Sequence, residues 1–113
     1  MLPERPRARR FTFLANIELI NVESEAKMID RTGDLTLFGC QVRTISPWAV
    51  GTKVRLKITY KGASFVAVGR VASVRAHAMG VKFTEVADKD QLVLEKWMTE
   101  LREKVGEHQS FQL

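Results

Sequence analysis

The sequence predicts an all-β domain: six short antiparallel strands forming a small barrel or sandwich, followed by one C-terminal α-helix. Three observations carry this expectation. Apolar and polar residues alternate with period two in several segments between residues 11 and 83, the pattern of strands with one buried face. Turn-forming Gly, Pro and Asp residues separate those segments at short intervals, with no helical spacing between them, so neighbouring strands pair antiparallel. Apolar spacing of three and four residues begins only after Asp88.

The first strand is expected from Phe11 to Leu19, where Phe11, Phe13, Ala15, Ile17 and Leu19 alternate with Thr12, Asn16 and Glu18. A weaker second strand covers Ser24 to Thr32. Arg31 to Gly39 holds two glycines, an Asp and two Thr, and reads as a turn-rich connection. Cys40, Val42 and Thr44 begin a third strand, and Ser46 to Gly51, with Pro47 and Trp48, forms a loop. Val54, Leu56, Ile58 and Tyr60 alternate strictly with Lys53, Arg55, Lys57 and Thr59, giving a fourth strand with a solvated outer face. Lys61-Gly62 is a short turn. Ser64 to Arg75 is a long β-branched strand in which Gly69 marks a bulge or bend. After a turn from Arg75 to Met79, Gly80 to Phe83 closes the β region.

The helix is expected over about 88–105. Asp88 and Gln91 have the spacing of a capping box. Leu94, Trp97, Met98, Leu101 and Val105 form one apolar stripe. Arg102 and Lys104 suit the carbonyl end, and Gly106 is a natural stop. Residues 106–113 form a tail without pattern.

With 113 residues, one compact domain is expected, over 11–105, preceded by a basic arm at 1–10. Cys40 has no intrachain partner for a disulfide. There is no apolar run long enough for a membrane span and no apolar core of a secretory signal, so the expected location is the cytoplasm. Enzymatic chemistry lacks a constellation. The two histidines, His77 and His108, are remote from the cysteine in sequence and offer no ligand spacing for a metal. There is no Walker-type loop or GxGxxG, and no carboxylate pair is placed for acid–base work. The expectation is a non-catalytic protein without a metal.

A binding constellation remains. The net charge is +5, and the first ten residues hold Arg5, Arg7, Arg9 and Arg10 against Glu4 alone. Arginine presents a planar fork that matches phosphate bidentately and stacks on flat rings. Asp34, Thr36 and Gly39 follow in the connection after the second strand: a double acceptor, a hydroxyl that donates and accepts, and a residue that permits a sharp turn or close approach. Taken alone, Asp34 and Thr36 also read as a turn satisfying its own backbone.

In this order and β context the chain resembles the PilZ domain family, small β-barrels that bind cyclic di-GMP in bacteria. Arg5-Pro6-Arg7-Ala8-Arg9 has the spacing of the family's RxxxR arm motif. Asp34 to Gly39 has that of its D/NxSxxG motif, with Thr36 in the Ser position. Val71 to Val74 followed by Gly80 to Phe83 is similar to its closing hairpin. Arg5 and Arg9 fit the motif spacing, whereas Arg10 fits a gapless strand alignment, so all three are candidates. The resemblance implies a six-stranded, split antiparallel barrel with a C-terminal helix. It also implies cyclic di-GMP, as monomer or stacked dimer, clamped between arm and barrel by Arg5, Arg9, Arg10, Asp34, Thr36 and Gly39. Arginines would bind phosphate or guanine, and Asp34 would accept from the guanine N1–H and N2–H2 edge.

The implied role is a receptor or adaptor, monomeric or dimeric, whose arm orders on binding and signals to a downstream protein. The alternative is a PilZ-like interaction module that no longer binds the nucleotide, with Trp48 or Trp97 as exposed anchors. Nucleic-acid binding ranks last, because no row of outward aromatics is present for base stacking.

Overall fold

The computed structural model describes residues 9–110, with side chains as far as residue 104. Strands run over Phe11–Thr12 (β1), Asn16–Asn21 (β2), Lys27–Leu35 (β3), Gly39–Arg43 (β4), Lys53–Tyr60 (β5), Ala63–Arg75 (β6) and Ala78–Glu85 (β7). They are followed by one helix, Asp88–Ser110 (α1). The ladder β3-β2-β5-β6-β7-β4 closes through β4 onto β3, so six antiparallel strands make a barrel; β1 adds a short seventh rung on the end of β3.

The expected alternation fills the interior. Ile17, Leu19, Leu35, Val42, Val54, Ile58, Phe65 and Met79 are fully buried, and each such side chain contributes about 1.5–3 kcal/mol on leaving water. The β5–β6 turn is Lys61-Gly62, both at positive φ (50° and 81°). This is the mirror-image geometry that matches the twist of a two-residue hairpin.

Five expectations need correction. The strand read as Phe11–Leu19 is interrupted at residues 13–15. There the Thr32 hydroxyl donates to the Phe13 carbonyl and accepts from the Ala15 amide, which keeps the interruption satisfied inside the barrel wall. The second strand runs to Leu35, so the first half of the supposed Arg31–Gly39 connection is strand and only Thr36 to Phe38 turn. The last strand is longer than Gly80–Phe83, which leaves only Ala76 and His77 between β6 and β7. The helix passes Gly106 and reaches Ser110.

The helix start also differs from the capping box. The Ala87 carbonyl takes the amides of Asp90 and Gln91, while the Gln91 amide group donates to Glu95. Asp90 is buried and its Oδ1 accepts the Val66 amide at 2.9 Å. Strand β7 reaches β6 no further than Val68, so the Val66 amide has no partner on that side except the helix. Leu94, Trp97 and Met98 then cover one barrel end, with Trp97 in an aromatic cluster with Phe13, Tyr60 and Phe65. Trp97 is therefore core, and Trp48 is half-buried against it. None of the described helix is long and apolar enough to cross a membrane.

Candidate functional site

Three register shifts shape the outer wall near the β3–β4 turn. Thr32 and Leu35 are both buried although their positions differ by three, an odd number. Strict alternation forbids that, and the extra residue is a bulge at Gly33. The bulge reverses the parity, so Asp34, which would otherwise point inward beside Thr32, lies on the outer face. Strand β6 does the same between Val71 and Ser73: Val71 stays inside opposite Val81, while Ser73 and Arg75 pair with Gly80 and Ala78 on the outside. The third shift lies opposite Val68 and Gly69, where the extra residue is Thr84 of β7, so Gly69 is not itself the bulge the sequence suggested.

The outward residues of β4, β7 and β6 thus form rows, Gln41–Gly80–Ser73 and Arg43–Ala78–Arg75, with Gly39 beside Lys82. The small residues among them, Gly39, Ser73, Ala78 and Gly80, make a shallow floor. A Cβ on Gly80 would stand 2.6 Å from the Ser73 hydroxyl oxygen, and one on Gly39 would collide with the Val81 carbonyl. Glycine at both positions lets the strands lie close and keeps the floor low. Over it lies an open groove of about 1190 Å³, rimmed by Arg10, Asp34, Phe38, Arg75 and Lys82.

Arg10 Nη2 lies 2.6 Å from Asp34 Oδ2, a charge-assisted contact from the chain entering β1 to the end of β3. Asp34 is held in place from both sides, since its neighbours in register are Thr12 on β1 and Gln41 on β4. Three cations, Arg10, Arg75 and Lys82, and this one carboxylate line the groove.

The other expected site residues divide. Thr36 Oγ1 accepts the amides of Phe38 and Gly39 at 2.9 and 3.0 Å and lies 3.3 Å from the Gly39 carbonyl, so its hydroxyl organises its own turn beside the groove. Gly39 is on the groove floor. Arg9 stacks over the Phe11 ring, its guanidinium carbon 5.2 Å from the ring centroid. Arg5 lies outside the described residues. Gln41, Ser73, Arg75 and Lys82 were not singled out by the sequence reading. Their signal was the outward parity of strands flanking the Asp34–Gly39 turn, and for Ser73 and Arg75 a bulge conceals it.

Nucleophilic chemistry has no support from the cysteine. Cys40 is buried and its thiol pKa is pushed up to about 12 by burial, so it stays protonated and enclosed. Among the described residues there is no cluster of three metal-ligating side chains.

The PilZ domain profile matches residues 4–100. Among solved structures, the chain is similar to the PilZ domain of CeSA from a cellulose-synthesizing bacterium, at 14% identity and TM-score 0.69, over 84% of this chain and 99% of that one. It is similar to the PilZ domain of YcgR from Escherichia coli, determined with c-di-GMP, at 14% identity and TM-score 0.71, over 95% and 98%. It also resembles MotI/DgrA, an inhibitor of motility from Bacillus subtilis, at 15% identity and TM-score 0.73, where it covers 92% of its own length and about half (53%) of that chain. A sequence search of curated proteins returns no significant match.

Proposed function

Since this chain belongs to the PilZ domain family, we propose that it is a non-catalytic receptor for cyclic di-GMP, which it binds in the groove beside Arg10 and Asp34. The observation that carries this reading is the Arg10–Asp34 contact at the rim of a glycine-floored wall. A carboxylate in a groove otherwise lined by cations can accept two N–H groups from a guanine edge, and a low floor suits a planar base. The YcgR structure with c-di-GMP supports the same ligand class for this fold.

In this mechanism the ligand takes over part of the Arg10–Asp34 pairing. The pair is exposed enough, at 60% and 27% of side-chain surface, that releasing it costs only about 0–1 kcal/mol. Arg10 then turns its fork to phosphate or stacks on guanine. Arg9 adds a second guanidinium, which lies over the Phe11 ring. Arg75 and Lys82 neutralise the remaining phosphate charge, and Gln41 and Ser73 supply neutral hydrogen bonds. Thr36 acts through its turn, holding Phe38 and Gly39 in position. Arg5, with the rest of residues 1–10, would close over the ligand and alter the surface shown to a downstream protein.

Isothermal titration with cyclic di-GMP and, separately, cyclic di-AMP tests the reading. Binding of the guanine compound is expected, with none of the adenine one, because adenine lacks the paired N–H donors that Asp34 would accept. No heat with cyclic di-GMP at low salt overturns the proposal and leaves the chain an interaction module of the same fold.

A further inference from the structure

On the side of the barrel opposite the groove, β5 presents Lys53, Arg55 and Lys57 outward at alternate positions, all exposed. Successive side chains on one strand face lie about 7 Å apart, so these three form a straight cationic ladder. Across the register, Lys53 pairs with Arg70 of β6, Arg55 stands between Ile20 and Val68, and Lys57 stands between Glu18 and Val66. Ile29, beyond Glu18, is 68% exposed. Among the described residues, the acidic groups on this side are Glu18, which meets Lys27 at 3.5 Å, Glu23 and Glu25 on the β2–β3 turn, and at the β6 edge the exposed Glu85, opposite Val68 in register, and the buried Asp90, which accepts the Val66 amide. Lys53, Arg55 and Lys57 enter no ion pair among the described residues.

We propose that the β2–β5–β6 outer wall is a docking face for an acidic protein surface, one that sets carboxylates against Lys53, Arg55 and Lys57 and covers Ile20, Ile29 and Val66 between them. The proposal takes up the partner half of the reading above but does not require the nucleotide. Charge complementarity names the sign of the partner, and the apolar residues name its class. A nucleic acid would pair with the cations yet leave the aliphatic residues wet, and there is no aromatic side chain here for a base to stack on. A bilayer interface favours Trp, Tyr or Phe, whereas the exposed apolar residues of this wall are Ile and Val.

Strand order adds a consequence. Around the ring β3-β2-β5-β6-β7-β4, the pair β2–β5 lies diametrically across from β7–β4, which floor the groove. Strand β6 reaches both, with Val66 and Arg70 on the docking side and Ser73 and Arg75 at the groove, so ligand and partner use different surfaces of the barrel.

The test uses amide NMR shifts of the full chain at physiological salt with three probes: an alternating Glu-Val peptide, a short single-stranded DNA, and vesicles of phosphatidylglycerol. The peptide is expected to shift the amides of β2, β5 and the Ser64–Arg70 part of β6, with or without saturating cyclic di-GMP. Reversing the ladder (Lys53→Glu, Arg55→Glu, Lys57→Glu) is expected to weaken peptide binding by about tenfold, the sum of three exposed pairs. The milder Lys57→Gln should weaken it less and serves as the readout if the triple variant does not fold. Arg10→Ala should leave peptide binding unchanged. Tighter binding of DNA or vesicles to this wall, peptide shifts mapping to the groove, or no shifts at all would each overturn the proposal. Since nucleotide titration reads the opposite wall, failure of one reading is distinguishable from failure of the other.

Discussion

Arg10 and Asp34 are joined at 2.6 Å across 24 residues of sequence, and this contact carries different weight in the free and liganded protein. Being exposed, it contributes at most about 1 kcal/mol to stability. In the proposed complex each group would make charge-assisted bonds worth about 1.5–3 kcal/mol. Arg10→Ala and Asp34→Ala are therefore expected to move the urea midpoint little while weakening cyclic di-GMP by roughly ten- to a hundredfold. The double variant should lose less than the sum, since both act on one ligand. Equal losses of stability and affinity would mark the pair as a structural clip.

How much of this was legible in the sequence depends on where alternation holds. Along β5, Val54 to Tyr60 keep strict parity, and the barrel-facing residues are those read from the pattern. The Leu94-Trp97-Met98-Leu101 stripe likewise finds its barrel end. Parity fails at Gly33 and between Val71 and Ser73, where one extra residue turns Asp34, Ser73 and Arg75 outward. The DxTxxG reading therefore placed Asp34 in a loop, whereas it stands near the end of β3. The cations on β6 and β7 escaped notice because a one-dimensional pattern does not reveal which strands become neighbours.

Asp90 joins helix to barrel through one hydrogen bond. Asp90→Ala would leave the Val66 amide without its acceptor, and a destabilisation of about 1–3 kcal/mol is expected in urea unfolding. Asp90→Asn keeps an acceptor oxygen and should cost less. An Asn variant as damaging as the Ala variant would show that charge, not acceptance, holds the helix.

The Lys61-Gly62 turn puts a lysine at φ 50°, a conformation that asparagine adopts at lower cost. Lys61→Asn creates the Asn-Gly pair favoured for this hairpin and is expected to stabilise the protein by about 0.5 kcal/mol. The gain is reduced by loss of the lysine's contact with the Tyr60 ring at 5.3 Å. A lower thermal midpoint would mean that this contact outweighs the backbone strain.

Burial raises the Cys40 thiol pKa to about 12, against an ordinary value of about 8.5. Between these values the unfolded chain has lost the proton that the folded chain retains. Stability therefore falls as pH rises, by up to about 1.4 kcal/mol per unit. Below the ordinary thiol value the effect vanishes. Cys40→Ala should flatten the alkaline limb of the unfolding curve, measured relative to wild type at each pH. An unchanged limb would assign the alkaline loss to other groups.

Thr32 is the least replaceable polar residue of the wall. Its hydroxyl serves the Phe13 carbonyl and the Ala15 amide at once, where the chain leaves the ladder between β1 and β2. Valine fills the same volume but leaves both groups unsatisfied in a buried position, so Thr32→Val is expected to cost about 2–4 kcal/mol. Thr32→Ser restores the hydroxyl and should recover most of it. The break positions Phe11 and, one residue before it, Arg10. Thr32→Val should therefore also weaken cyclic di-GMP binding even under conditions where the variant remains folded. Full affinity in a folded Thr32→Val protein would show that Arg10 finds Asp34 without help from the break.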